Sequence, residues 1–62
     1  MSRLLGQYRK FDKHRYKAQT SFKRKVEAKS FARQARLRGY FARVTKESDP
    51  VYGGHEYYVW MR

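Results

Sequence analysis

The sequence contains no cysteine, a single proline and only five acidic residues among its 62 positions. Without cysteine, neither a disulfide framework nor a thiolate metal site can stabilise the fold. No apolar run is long enough for a membrane span or for the hydrophobic part of a signal peptide. Together with a start at Met1, these absences predict a complete, soluble protein located in the cytoplasm.

Positive charge is what the sequence has in excess. Sixteen lysines and arginines against five acids give a formal net charge of +11, which favours association with polyanions. High net charge with low hydrophobicity is also typical of disordered chains. Six tyrosines, four phenylalanines and one tryptophan supply the side chains that a folded core needs. We therefore expect one small folded domain of marginal stability.

The segment from Phe22 to Tyr40 has the pattern of an amphipathic helix. Gly39 stands where a left-handed C-cap residue is expected, and arginines crowd the last turns, which suits the helix dipole. The small residues on the apolar face predict a close approach to a sheet. That face follows the i, i+3, i+4, i+7 spacing and consists of Ala28, Phe31, Ala32 and Ala35.

Three segments alternate with the two-residue period of strands, namely residues 13–20, 40–46 and 56–62. An Asp-Pro pair and a Gly-Gly pair separate the last two, as in a hairpin with a long tip. The last segment is apolar on both faces and therefore belongs in the middle of the sheet. The sequence predicts an α+β fold of β-α-β-β topology. Its antiparallel three-stranded sheet has the order 1-3-2, with one helix on one face.

The first dozen residues are predicted as a separate segment, so that residues 13–62 form the domain and residues 1–12 a basic arm. Leu4, Tyr8 and Phe11 lie at i, i+4 and i+7, the spacing of a short helix. The alternative is a disordered arm that becomes ordered only on a partner.

The sheet face away from the helix is the first candidate binding surface. If alternate residues of the last two strands pack under the helix (Ala42, Val44, Val59 and Met61), their neighbours point outward. Aromatic rings stack on bases at roughly 1–3 kcal/mol each, and cations replace the counterions of phosphates. This outer face is expected to carry Arg15, Lys17, Phe41, Arg43, Tyr58, Trp60 and Arg62.

The same aromatic residues have an alternative interpretation as a second small core. Large exposed apolar patches are unusual in soluble monomers, so the N-terminal segment could cover them through Leu4, Tyr8 and Phe11, or a second copy of the chain could do so. An intermediate arrangement would bury Trp60 and leave Tyr58 and Phe41 at the rim. The sequence leaves these alternatives open.

A second basic surface runs along the predicted helix. Seven lysines and arginines lie between Lys23 and Arg38 with one acid, Glu27, whereas a surface that serves only solubility mixes the two signs. Such a helix could follow a phosphate backbone or enter a major groove. Four of its cations form a stripe at i, i+4, i+8 and i+11, namely Lys25, Lys29, Arg33 and Arg36.

No pattern typical of catalysis is present, and no metal or other cofactor is expected. His14 and His55 are far apart in sequence and lack further ligands at metal-binding spacing. His55 and Glu56 would point to opposite faces of a strand, which argues against an acid–base pair. Gly53 and Gly54 precede a strand rather than a helix and so do not form a phosphate loop.

The pattern "F…V-E-A…F-A…A…G-Y-F-A-R-V" followed by "YYVWM" resembles the strand-helix-strand half of several small α+β modules, including peptidoglycan-binding sporulation-related repeats. The resemblance consists of packing positions, and the charge of +11 argues against that activity. No family is assigned on this ground.

The sequence therefore predicts a small non-enzymatic protein that binds DNA or RNA through the helix stripe and the outer face, and that has no membrane role. Such a chain would fit a phage, plasmid or archaeal accessory protein. One alternative is a protein-interaction module or regulator that docks an acidic partner or forms a homodimer. Another is a ribosome-associated protein. The expected binding residues are Arg15, Lys17, Lys25, Lys29, Arg33, Arg36, Phe41, Arg43, Tyr58, Trp60 and Arg62.

Overall fold

A computed structural model describes residues 4–48, 51 and 53–62 of the chain. It has the predicted α+β class, with one helix and a four-stranded antiparallel sheet of order β1-β2-β4-β3. The elements in chain order are β1 (Tyr8–Phe11), β2 (His14–Phe22), α1 (Lys25–Leu37), β3 (Ala42–Ser48) and β4 (His55–Met61).

The sheet contains the predicted strands and one more. The order β2-β4-β3 is the expected 1-3-2 arrangement, with the apolar strand β4 between two more polar ones. The prediction of three strands is wrong, because Tyr8–Phe11 adds a fourth beside β2 instead of forming a short helix or a disordered arm. Residues 1–3 of the predicted arm lie outside the described residues.

Strand β1 is joined to β2 by a two-residue turn. Phe11 pairs with His14, so only Asp12 and Lys13 lie between the strands. Both turn residues have positive φ angles, of 49° and 69°, as a type I′ hairpin turn requires. Asp-Lys lacks the glycine that usually indicates such a turn, so this hairpin is difficult to predict from the sequence.

The helix ends at the predicted glycine in a hydrogen-bonded Schellman motif. Gly39 has a φ of +92° and donates its N–H to the carbonyl of Arg36 at 3.0 Å. The N–H of Tyr40 donates to the carbonyl of Ala35 at 3.1 Å. These two bonds satisfy carbonyls that the last helical turn would otherwise leave unpaired. The prediction that Gly39 caps the helix is confirmed.

Helix α1 lies close against the sheet because its buried residues are small. Ala28, Ala32 and Ala35 are buried and pack around Val59 of β4. Phe31 stays 39% exposed and only borders this layer. The sheet residues expected beneath the helix are confirmed there, namely Ala42, Val44, Val59 and Met61.

A β-bulge in β2 reverses which of its side chains face the helix. Ala18 pairs with Trp60, but Thr20 pairs with Val59, so Gln19 is an extra residue in β2. N-terminal to the bulge, Tyr16 and Ala18 pack with Trp60 on the face away from α1. The predicted outward position of Arg15 and Lys17 is therefore wrong. Both lie on the helix side of the sheet.

Candidate nucleic-acid interface

The outer face of the sheet, on the side away from α1, is closed by a second core. Trp60 is 1% exposed and Tyr58 is 2% exposed, because Leu4 and Phe11 lie over them. The Phe11 ring meets Trp60 at a centroid distance of 5.8 Å, and the backbone N–H of Leu4 donates to the Tyr58 hydroxyl at 3.4 Å. The expectation of an open platform that presents Tyr58 and Trp60 is wrong in this arrangement.

The observed cover corresponds to the alternative in which the N-terminal segment forms a second core. Leu4 and Phe11 take the expected covering positions, whereas Tyr8 points away and is 60% exposed. The two rings of β4 therefore stabilise the fold in this structure and present no face on which a base could stack. A role for them in binding stays a prediction that requires the segment to open.

Two arginine–carboxylate pairs tie the β1–β2 hairpin to β3 across the outer face. The Arg9 guanidinium bonds both oxygens of Glu47, at 3.0 and 3.3 Å, and lies 4.5 Å from the centroid of the Trp60 ring. Arg43 forms an ion pair with Asp12 and lies 5.4 Å from the Phe11 ring. Because these acids neutralise the two arginines, the outer face keeps little free positive charge.

The buried indole of Trp60 has one hydrogen-bond acceptor, the hydroxyl of Thr45. Trp60 Nε1 donates to Thr45 Oγ1 at 2.7 Å. Replacing Thr45 by valine is expected to lower the free energy of unfolding by about 1–3 kcal/mol, because a buried N–H would lose its acceptor. Thr45→Ser keeps the hydroxyl and is the matched control. Urea unfolding followed by Trp60 fluorescence measures both, and equal stability of the two variants would contradict the assigned bond.

Phe41 and Arg62 are the expected outer-face residues that remain exposed as a pair. They lie at the end of β3 and β4, where their backbones exchange hydrogen bonds of 3.1 and 3.0 Å. Phe41 is 56% exposed, and the Arg62 guanidinium lies 4.1 Å from the centroid of its ring. An arginine stacked on an exposed ring is one arrangement that can accept a base or a phosphate.

The helix stripe is exposed along its whole length. Within the described part of the chain, no ion pair engages Lys25, Lys29 or Arg33. Arg36 donates to the backbone carbonyl of Ala42 at 2.8 Å, which holds its guanidinium at the edge of β3. The four stripe cations therefore share one rigid helix and leave their charge available to a partner.

The β1–β2 hairpin adds further cations on the same side of the sheet as the helix. The register places Lys10 opposite Arg15 and Tyr8 opposite Lys17 on this face. The Arg15 guanidinium lies 5.5 Å from the Tyr8 ring centroid. The bulge thus moves Arg15 and Lys17 away from the aromatic core but onto the side of the molecule that carries the stripe.

Charge is segregated between the two sides as a result. Asp12 and Glu47 are engaged on the outer face, and strand alternation directs Glu56 to that face as well. On α1 the only acid is Glu27, in the first turn. The helix side is therefore strongly cationic, whereas the outer face is close to balanced.

Sequence reasoning missed Arg9, Glu47 and Thr45. Alternation along the strand already predicts that Thr45 lies on the face of Trp60, and its role as acceptor could have been found because a buried indole N–H needs one. The Arg9–Glu47 pair has no such signal, because its residues lie on opposite edge strands that meet only when the sheet curls.

Neither a metal centre nor a membrane span is found among residues 4–48, 51 and 53–62. No group of three histidines, aspartates or glutamates there could hold a metal ion. No helix in this part is both long and apolar enough to cross a bilayer. Comparison with known proteins finds no match to this chain among family models, curated proteins or solved structures.

Proposed function

We propose that this protein binds nucleic acid without catalysing a reaction, and that the helix side makes the phosphate contacts. The observation that carries the proposal is the charge segregation described above. A chain of net charge +11 pairs two of its acids with arginines on one face, while no acid among residues 4–48, 51 and 53–62 forms an ion pair with the helix stripe. Such a surface supplies the counterion-releasing contacts that dominate binding to a phosphate backbone.

The geometry of the stripe favours a duplex over a single strand as the main ligand. Lys25 and Arg36 are 11 positions apart, which at 1.5 Å per residue is roughly 16 Å along the helix. That length corresponds to about five base-pair steps at 3.4 Å each. Single-strand platforms depend instead on exposed rings, and three rings of the outer face are buried, those of Tyr16, Tyr58 and Trp60. Arg15 and Lys17 would add phosphate contacts beside the stripe.

The proposal is tested by titrating labelled duplex DNA, duplex RNA and single strands at several salt concentrations. Four stripe contacts with duplex DNA predict that log K falls with log salt at a slope of about −3.6, or 0.9 per phosphate. Polyglutamate at equal charge is the matched control, because it is a polyanion without phosphates. Absence of duplex binding at low salt, or equally tight binding of polyglutamate, would contradict the proposal.

The second candidate function is docking of an acidic protein surface. An apolar patch on the flank of α1 away from the stripe favours it, where Phe22 and Phe31 lie 5.7 Å apart and Val26 is 67% exposed. An acidic partner fits this patch better than a second copy, since two chains of +11 repel each other. Tight binding of polyglutamate in the titration above would favour this candidate. A ribosome-associated role would appear in the same titration as binding to duplex RNA.

A further inference from the structure

A cavity of about 510 Å³ opens at the gap between the two edge strands, β1 and β3. Its volume lies within the range of small-ligand sites. We call it the edge cavity. Part of its lining comes from Ala42, Val44 and Thr45 of β3. The rest consists of four aromatic side chains and two arginines, namely Phe11, Tyr16, Tyr40, Phe41, Arg36 and Arg43.

The free edge of β3 supplies backbone hydrogen-bonding groups to the edge cavity. Phe41 and Arg62 exchange two backbone hydrogen bonds. In an antiparallel ladder the backbone N–H and C=O groups of Arg43 then also point toward β4, whereas those of Ala42 and Val44 point away from it. The Ala42 carbonyl accepts from Arg36. Within the described residues, the N–H and C=O of Val44 have no such partner. An adjacent donor and acceptor therefore face the gap.

The cations around the edge cavity differ in how free they are. Arg43 is held by Asp12, so its charge is largely neutralised. Among the residues that the structure describes, Arg36 bonds to a neutral carbonyl and forms no ion pair, and it also belongs to the helix stripe. Arg62 lies on the Phe41 ring and 5.6 Å from Tyr16. Arg36 therefore belongs both to the helix stripe and to the lining of a cavity with aromatic walls.

From this arrangement we propose that the edge cavity binds one unpaired nucleobase, whose phosphate contacts Arg36. The base stacks on the ring of Phe41, and one edge of the base contacts the backbone N–H and C=O of Val44. This inference rests on the proposed function, because the stripe would hold the flanking phosphates. It specifies the preferred ligand as a duplex that carries a bulged or overhanging nucleotide. Aromatic walls suit a planar base, and a free donor beside a free acceptor suits its polar edge.

The first test uses adenosine 5′-monophosphate as the probe and backbone amide NMR as the readout. The expected result is a saturable shift of the Val44 and Phe41 amides with the nucleotide and much smaller shifts with ribose 5-phosphate. Phe41→Leu should abolish the nucleotide-specific shifts, whereas Val26→Ala, at another exposed apolar position, should leave them unchanged. Trp60 emission confirms that each variant stays folded. Equal shifts with both probes would overturn the proposal, because they indicate an anion site without base recognition.

The second test compares a perfect duplex with the same duplex carrying one bulged adenine. Stacking of one base predicts at least about fivefold tighter binding of the bulged duplex, lost in Phe41→Leu. Binding of both duplexes without preference and without nucleotide shifts overturns the edge cavity and leaves the proposed function standing. Nucleotide-specific shifts without duplex binding overturn the proposed function and retain a mononucleotide site.

Discussion

Replacing Lys25, Lys29 and Arg33 together by glutamine is expected to weaken duplex DNA binding by a few hundredfold at 0.1 M salt. Each lost phosphate contact removes about 0.9 from the slope of log K against log salt, so three remove about 2.7. If the variant and the unchanged protein bind equally at 1 M salt, a slope difference of about 2.7 lowers the affinity of the variant roughly 500-fold at 0.1 M salt. Fluorescence anisotropy of a labelled duplex at several salt concentrations measures both the slope and the affinity.

Arg36 is left in place in this variant because its hydrogen bond to Ala42 also serves the fold. The matched control replaces Lys13, Lys23 and Arg38 by glutamine, which removes the same charge from exposed positions outside the stripe. The control is expected to lose less affinity and to keep most of the slope. An equal loss of slope in both triple variants would show that net charge, and not the stripe, determines binding.

The helix and its stripe could be predicted because both follow from local periodicity. The spacing of Ala28, Ala32 and Ala35 fixes which side of α1 is buried, and the position of the stripe then follows from the 3.6-residue turn. Gly39 ends the helix for an equally local reason, since its positive φ favours glycine. Strand β4 was recognisable as central because both of its faces are apolar, and both are indeed covered.

The β1–β2 hairpin could not be predicted in the same way. Its turn uses Asp12 and Lys13, which carry no glycine signal, and Leu4, Tyr8 and Phe11 happen to fit a helical period. The bulge at Gln19 shifts the alternation by one residue, so the residues before it lie on the opposite face from the one that an unbroken period through Thr20 would give. A strictly alternating interpretation therefore placed Arg15 and Lys17 on the wrong side.

The closing of the outer face depends on contacts between segments distant in sequence. Leu4 meets Tyr58 and Arg9 meets Glu47 only because the sheet curls enough to bring β1 toward β3. Sequence reasoning could name the N-terminal segment as a candidate cover, but it could not choose between that cover and an open platform. The choice depends on packing energies that local patterns do not contain.

Replacing Trp60 by alanine is the change expected to cost most stability. The indole is 1% exposed, contacts Phe11 and Tyr58, and bonds Thr45. Truncating a buried tryptophan to alanine costs about 3–5 kcal/mol. At about 0.05–0.15 kcal/mol per residue, a domain of this length has roughly 3–9 kcal/mol in total. The variant should be largely unfolded at 37 °C, as far-UV circular dichroism and urea titration would show.

The same variant decides whether Trp60 supports the fold or presents a stacking surface. If the ring served mainly to stack on bases, Trp60→Ala would keep its stability and lose single-strand affinity. Phe41→Ala is the matched control, because it removes an exposed ring from the same face and should change the free energy of unfolding by less than about 1 kcal/mol. Trp60→Phe retains a ring but loses the bond to Thr45, so an intermediate loss of about 1–3 kcal/mol is expected. A fully stable Trp60→Ala would contradict the closed outer face and restore the open platform as the binding surface.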